Sequence, residues 1–470
     1  MNQTKKILCS IGIVFACVLF LIPFFCTLIL SFSDYQVMRG LFGSNWVGFA
    51  NIASFFGWEY FTRILSNTLV ISILGTVIGA VYVFFAALSI GSMKNQILKG
   101  LIATVFAIPA IVPVNLFVHL LPTELLMQPS FLLRIAVSAI DGFRIAGLMV
   151  CVAYFIRKDV LKESMKCVLL FIALKLILIL SSDQALINSI YHPLTYEILD
   201  VFSTYIYRNG LVNADFSMAA AVHIAKVAIS VVPAVIACLI LVAIQKENRT
   251  IRTERSFEAV SVTALIPIGI LFAMVATGGS LLPIVKHPMV IAGYINEFLI
   301  AFVSALFVAV LAYGLAVLAR NSGRLGILVL VLLCLTGNSL IGKYILARIF
   351  GVMDTFVGVV FYQFSMISVL ALLLYFATYR ERSAKKDLSA LLIGFILMFS
   401  GFWGDFSASM IMTRQRELFP LSLVLREMAM LADSESANGG MLFSTVPYIF
   451  IPVFVVCAGF LISSVIKKDS

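Results

Sequence analysis

The sequence predicts an all-α polytopic membrane protein of about twelve transmembrane helices, arranged as two pseudo-equivalent six-helix bundles. Three observations carry that expectation. The 470 residues are 62% hydrophobic and only 12% charged, and the mean hydropathy of +1.08 lies far outside the range of water-soluble domains. Two apolar blocks of similar size, 1–245 and 257–470, follow one another, and the charged stretch 246–256 joins them as a linker exposed on one side of the membrane. Each block divides into about six runs long enough to cross a bilayer.

In chain order, the first run spans about 7–31 and follows Lys5 and Lys6. It is too long for the apolar region of a signal peptide and no small-x-small cleavage site follows, so an uncleaved first helix is expected; a lipoprotein-like box at Val14–Cys17 is outweighed because the apolar run continues past it. Spans are then expected at about 66–90, 100–121, 132–156, 167–182 and 216–244. Pro109 and Pro113 bend the third and Pro233 the sixth. The second block gives about 258–279, 295–319, 325–341, 355–377, 388–412 and 443–466. Within 391–412, Gly401, Trp403, Gly404 and Asp405 interrupt the apolar run. A break of that kind marks a kink that lines a cavity, where an aromatic face suits a sugar ring, or else simple packing.

Lysine and arginine fall on alternate connections: Lys94 and Lys99, then Arg157, Lys158, Lys162 and Lys166, then the linker, then Arg320 and Arg324, then Arg380, Arg382, Lys385 and Lys386, then Lys467 and Lys468. By the positive-inside rule these connections and both termini are cytoplasmic. The long connections, about 32–65, 183–215, 342–354 and 413–442, then lie outside. The net charge of +10 thereby sets topology, and without a basic patch interleaved with aromatics it gives no nucleic-acid surface. The eight cysteines lie in or at the edges of spans with no Cys-x-x-Cys pair, and with the four histidines they form no metal-ligand spacing. No phosphate-binding loop occurs, and no nucleophile or carboxylate pair marks an enzyme, so the chain is expected to have no ATPase motifs, metal or cofactor of its own.

Charges inside apolar runs are costly and mark candidate path residues. Arg134, Asp141 and Arg144 share roughly one side of the fourth span. An inward polar stripe is one reading; the other is that Arg134 snorkels at the boundary while Asp141 and Arg144 pair at i, i+3. Lys175 lies in the fifth span, with Asp183 just beyond, and His223 and Lys226 stand three apart in the sixth. His223 is equally readable as a satisfied structural histidine, whereas an unpaired ammonium at Lys175 would cost about 3 kcal/mol on insertion scales. Trp403 and Asp405 complete the candidates. Glu297 and Lys343 read as span-boundary residues.

Several stretches carry a family resemblance. Asn45-Trp46-Val47-Gly48-Phe49-Ala50-Asn51 with Ser66-Asn67-Thr68-Leu69, and Tyr191–Leu211 ahead of the last helix of the first block, resemble the inner-membrane permeases of binding-protein-dependent carbohydrate ABC importers of the maltose and oligosaccharide type. Tyr294-Ile295-Asn296, Ala312–Arg320, Lys343–Thr355, Gly401–Phe406 and Leu418–Leu421 are similar to the partner permease of the same importers. The resemblance implies two type I importer permeases fused in one chain of a bacterial plasma membrane. It also implies a carbohydrate or other small polar solute, an extracytoplasmic solute-binding protein, and cytoplasmic ATPase subunits that alone would handle ATP.

One departure sets a limit. The family carries a Glu-Ala-Ala coupling loop on the inner side of each half. The corresponding stretches, with Arg157, Lys158, Lys162 and Glu163 in one and Arg380, Glu381 and Arg382 in the other, contain no such motif and are short for a helix with two connections. They are the candidate ATPase-facing residues. Their shortness also admits a permease-like scaffold or regulator uncoupled from any ATPase, and a carrier driven by an ion gradient in which Lys175, Asp141 or Asp405 would serve as ion partners.

Overall fold

The computed structural model describes residues 21–119, 121–126, 129–156, 159–246, 288–379, 383–431 and 445–468. The linker, the span expected at 258–279 and most of the first span lie outside the described residues. What is described is an all-α polytopic membrane protein: a chain with no water to satisfy its backbone does so within helices. Five helices are long and apolar enough to cross a membrane, and a bent pair makes a sixth. The described strands, Ser33–Asp34 and Asn45–Trp46, form one short antiparallel hairpin.

In the first block the helices are α1 (Leu21–Ser31), α2 (Phe61–Ser92), α3 (Gln96–Ile111), α4 (Phe131–Ala153), α5 (Val160–Ile177), α6 (Gln184–Ile190) and α7 (Phe216–Lys246). The second block holds α8 (Pro288–Ser322), α9 (Arg324–Thr336), α10 (Leu340–Ile349), α11 (Phe356–Thr378), α12 (Ala384–Phe402), α13 (Ser407–Met412) and α14 (Thr445–Lys468). In the first block α2 packs on α4 and α5, and α5 packs on α7; in the second, α8 packs on α11 and α12, and α12 on α14. The blocks exchange their last helices, since α14 lies against α3 and α7 against α9. Neither block therefore closes its own core.

Several expected boundaries move, each for a local reason. The third span stops at Ile111 rather than 121, because Pro113 holds Val112 extended (ψ 131°) and the chain resumes helix only at Val114–His119. Its start is fixed by Asn95, whose side chain accepts from the Ile97 and Leu98 amides. The fifth span begins at Val160 instead of 167, since Glu163 and Lys166 pair at 3.2 Å one turn apart and are carried within the helix. The span expected at 325–341 ends at Thr336, and α10 leaves it at 75°. The 388–412 span ends at Phe402; Gly404, at φ +91°, turns the chain before α13. The long connections also contain structure, including α6, most of α10 and the short helix Phe202–Tyr207.

The tightest contact in the first block is between α2 and α4, where a Cβ on Gly75 would stand 2.8 Å from the Ser138 carbonyl oxygen and Gly142 faces Gly75. Small residues are what let two backbones approach this closely in lipid. Replacing Gly75 by leucine is expected to force α2 off α4 and to destabilise the fold by ~1–3 kcal/mol. Gly314→Ala, inside α8 with open space around it, should not lower stability and should raise it by up to about 1 kcal/mol; thermal unfolding of the two variants in one detergent checks both outcomes.

Candidate functional site

A polar belt crosses the line where the two blocks meet. In the first block Lys175 on α5 is about 1% exposed and its Nζ lies 2.6 Å from Asp141 Oδ2 on α4. The other oxygen of Asp141 accepts the Asp183 backbone amide at 3.2 Å. Asp183 begins α6 by accepting the Leu186 amide and pairs through its second oxygen with Arg144 Nε at 2.8 Å. Arg144 also donates to the Val112 carbonyl exposed by the break at Pro113. Asp141 and Arg144 thus stand on the same helix without pairing with each other: each reaches a partner on another element.

The second block supplies a comparable junction. Asp405, between α12 and α13, accepts the Ser407 amide at 2.9 Å and the Gln363 side-chain amide of α11 at 3.0 Å. The two junctions are linked: Tyr362 Oη donates to Gln184 Oε1 at 3.2 Å, and Gly404 rests against Pro113, where an added Cβ would come within 2.6 Å of the proline ring. Lys343 on α10 is buried and donates to the Tyr362 carbonyl at 3.3 Å. Glu297, read like Lys343 as a span-boundary residue, is buried too, and its carboxylate accepts the Gly404 amide at 2.6 Å and the amide and hydroxyl of Ser422 at 3.0 and 2.9 Å.

At one end of the bundle each block clasps the segment before its last helix with an asparagine. Asn67 donates to the carbonyls of Glu197 and Asp200, and Asn296 to those of Glu417 and Phe419. Arg134 serves this clasp rather than the belt, donating to Asn67 Oδ1 at 2.9 Å. Asp200 is fully buried and collects Arg63 at 3.2 Å, Arg208 at 3.4 Å, Thr204 and Tyr191. Burial, and then the Asp200 charge, push the Tyr191 phenol above its ordinary range and keep it a hydrogen donor.

The remaining sequence candidates fall elsewhere. Trp403 is buried, and its indole N–H is spent on the Tyr448 carbonyl at 2.9 Å, which places the ring among Phe399 and Tyr448 in the packed core. His223 and Lys226 lie buried on one face of α7, against α10. At the opposite end of the bundle, Lys162 and Glu163 lie at the start of α5; Arg157, Lys158, Arg380, Glu381 and Arg382 lie outside the described residues. That end holds a pocket between the blocks, lined by Phe155, Glu163, Lys166, Ile244, Tyr379 and Lys386. There Lys386 stands 5.5 Å over the Phe155 ring, and Gln245 donates to Tyr375 Oη at 2.8 Å. No group of three or more metal-ligating side chains occurs among the described residues.

Reasoning from sequence missed Gln184, Tyr362 and Gln363. A signal existed for Gln363, a lone amide within the apolar run 355–377, which needs a partner in lipid.

No protein-family model matches the chain, and no curated protein matches it. Among solved structures it is similar to a bacterial ABC transporter involved in the import of the acidic polysaccharide alginate, at 20% identity and a TM-score of 0.40, over 53% of this chain and 98% of that one.

The belt makes a double-mutant prediction. Lys175→Met leaves the Asp141 carboxylate buried with its counter-charge gone and should cost about 3–5 kcal/mol. The pair Lys175→Met with Asp141→Leu removes both charges and should recover most of that loss. Denaturation of the three proteins in detergent gives the comparison.

Proposed function

We propose that this chain is the transmembrane permease component of an importer for a polar solute, a carbohydrate or similar compound. The solute path runs between two fused halves related by an approximate twofold, with about twelve spans in all when those outside the described residues are counted. The observation that carries the proposal is the polar belt at the line between the blocks: Arg144–Asp183, Gln184–Tyr362 and Gln363–Asp405. Polar side chains at membrane depth are expensive, and where they meet between two bundles they mark a solute or ion route. The repeated contacts (α2 on α4 and α5, α8 on α11 and α12), the exchange of last helices and the two asparagine clasps support the twofold. In this reading the clasped segments face outward toward a solute-binding protein. The short connections 154–159 and 379–383 then face a cytoplasmic ATPase in a bacterial inner membrane, with both termini on that side.

A specific observation favours a second reading. Helix α4 ends at Ala153 and α5 starts at Val160; α11 ends at Thr378 and α12 starts at Ala384. These intervals are too short to hold a projecting coupling helix with its two connections. The second reading is a permease-like membrane scaffold or regulator that no ATPase drives.

Reconstitution separates them. Import driven by ATP, with an ATPase subunit that co-purifies with the chain, supports the first reading; stable association with another permease and no uptake supports the second; uptake driven by a proton or sodium gradient alone would replace both with a carrier. If the belt is the path, Asp183→Asn should lower uptake by roughly tenfold, the effect of losing one charge-assisted hydrogen bond. Its amount in the membrane should not change, and uptake and immunoblot of the same vesicles check the two halves of that statement.

A further inference from the structure

The connection between α1 and α2 differs in make-up from the long connection 183–215. Between Asp34 and Glu59 it carries a single charged residue, Arg39, and no acidic one. Yet Val37, Met38, Phe42, Trp46, Phe49 and Phe56 are all exposed, Met38 at 99%, Phe42 at 87%, Phe49 at 71% and Trp46 at 69%. The connection 183–215 holds Asp183, Glu197, Asp200, Arg208 and Asp215, and its exposed large apolar side chains are Leu194 and Val212. An exposed apolar patch as dense as the first marks a membrane or protein contact.

The patch stands on a frame closed by its own hydrogen bonds. Ser33–Asp34 pairs with Asn45–Trp46, and the Val47 and Gly48 amides both donate to the Phe32 carbonyl, at 2.8 and 3.1 Å. At the tip the Arg39 and Gly40 amides share the Gln36 carbonyl, the Gln36 amide donates to Ser44 Oγ at 3.0 Å, and the Ser44 hydroxyl donates to the Gly40 carbonyl at 2.7 Å. Arg39 donates to Asn45 Oδ1 at 3.1 Å. A loop surrounded by water can leave such groups to the solvent; one pressed on lipid must satisfy them itself. The opposite face is fastened to the bundle. Phe55 is buried among Phe61, Phe202 and Tyr205, and the Tyr35 amide donates to Ser217 Oγ at 2.8 Å. The helix Ala50–Phe56 lies on α7. With 31 residues, α7 is about 46 Å long against a hydrocarbon thickness of about 30 Å, so its first turn at Phe216 and Ser217 stands where bilayer meets water. The fastened segment shares that depth.

We propose that residues 35–58 form an interfacial membrane anchor: Met38, Phe42, Trp46 and Phe49 enter the headgroup and upper acyl region of the leaflet at that end, and Arg39 stays at the level of the phosphates. Lipid is the occupant that fits. A surface that docks a soluble protein carries a polar rim around its apolar centre. Here the charge is Arg39 alone, and the side chains of Ser44, Asn45 and Asn51 are engaged locally, Asn51 by the carbonyls of Ser31 and Ser33. The anchor does not depend on what the chain transports, or on whether it transports.

The test is the depth of single nitroxide labels on the full chain in nanodiscs of phosphatidylcholine and phosphatidylglycerol. Cysteines at 38 and 42, in a chain freed of its eight native cysteines, are compared with cysteines at 213 and 232. Asn213 is exposed in the connection 183–215, and Val232 is exposed on α7. Oxygen concentrates in lipid and a nickel chelate stays in water, so collisions with the two report depth. Labels at 38 and 42 should lose most of the chelate collisions seen at 213 and gain oxygen collisions, moving toward 232. All of these positions are exposed, so the labels leave the packing intact. A second measurement uses Trp46, left as the sole tryptophan by Trp58→Phe and Trp403→Phe. Its emission should fall when the nanodisc lipids are brominated near the headgroup and should resist iodide. Labels at 38 and 42 as open to the chelate as 213, or a Trp46 that iodide quenches and brominated lipid does not, overturn the anchor and make the patch a water-facing surface.

Discussion

An ammonium ion cannot be left alone inside a stack of apolar helices, and the Lys175–Asp141 pair is where this chain meets that constraint most directly. The pair joins α5 to α4, and α4 in turn lies on α2 through Gly75 and Gly142. The free oxygen of Asp141 then holds the Asp183 backbone, so the same carboxylate that neutralises Lys175 also sets the start of α6. Arg144 follows from this placement: with Asp141 taken, its charge is met by Asp183 and by the carbonyl that Pro113 frees. A buried pair of this sort adds little net stability over apolar packing. What it contributes here is position, because it carries a second carboxylate to the line between the blocks.

The two blocks solve the same local problem with different residues. Asn67 and Asn296 each spend one amide group on two carbonyls of the segment that precedes the last helix. The residue that follows differs: Thr68 accepts the Phe202 amide, while Glu297 accepts amides from both Ser422 and Gly404. A threonine hydroxyl can reach one strand of chain, and a carboxylate can hold two. The second block therefore ties its clasp to the turn at Gly404 that also positions Asp405. In the first block, Asp200 does the corresponding work from the segment side, gathering Arg63 and Arg208. The two blocks thus use the same asparagine contact and differ in the charges gathered around it.

The helical membrane class was legible in the sequence because a bilayer demands long apolar runs, and hydropathy reads length and composition directly. So were the charges at Asp141, Arg144 and Lys175, since their burial in such runs is costly whatever the fold. Their partners were not, because Lys175 meets Asp141 across 34 residues, and local spacing offered Arg144 as a nearer candidate that the helix geometry does not use. For Trp403 the sequence left a cavity-lining ring and simple packing side by side, because the partner of its N–H, the Tyr448 carbonyl, lies 45 residues away. The long connections read as loops because a window as long as a span averages out helices of six to ten residues such as Phe202–Tyr207 and Leu340–Ile349. Lys343, read as a span-boundary residue, is buried on the helix that leaves α9 at 75° and donates to the Tyr362 carbonyl, 19 residues on.

The central claim is that the belt lines a water-accessible route between the two halves, and accessibility of single cysteines to a membrane-impermeant thiol reagent measures it most directly. In a background from which the eight native cysteines are removed, cysteine at positions 184, 343 and 363 should react with a charged methanethiosulfonate, and more slowly when solute is present. Cysteine at 232, where Val232 lies exposed on the outer surface of α7, should remain unlabelled in lipid. Belt positions as inert as 232 would show a sealed, structural network and would contradict the account.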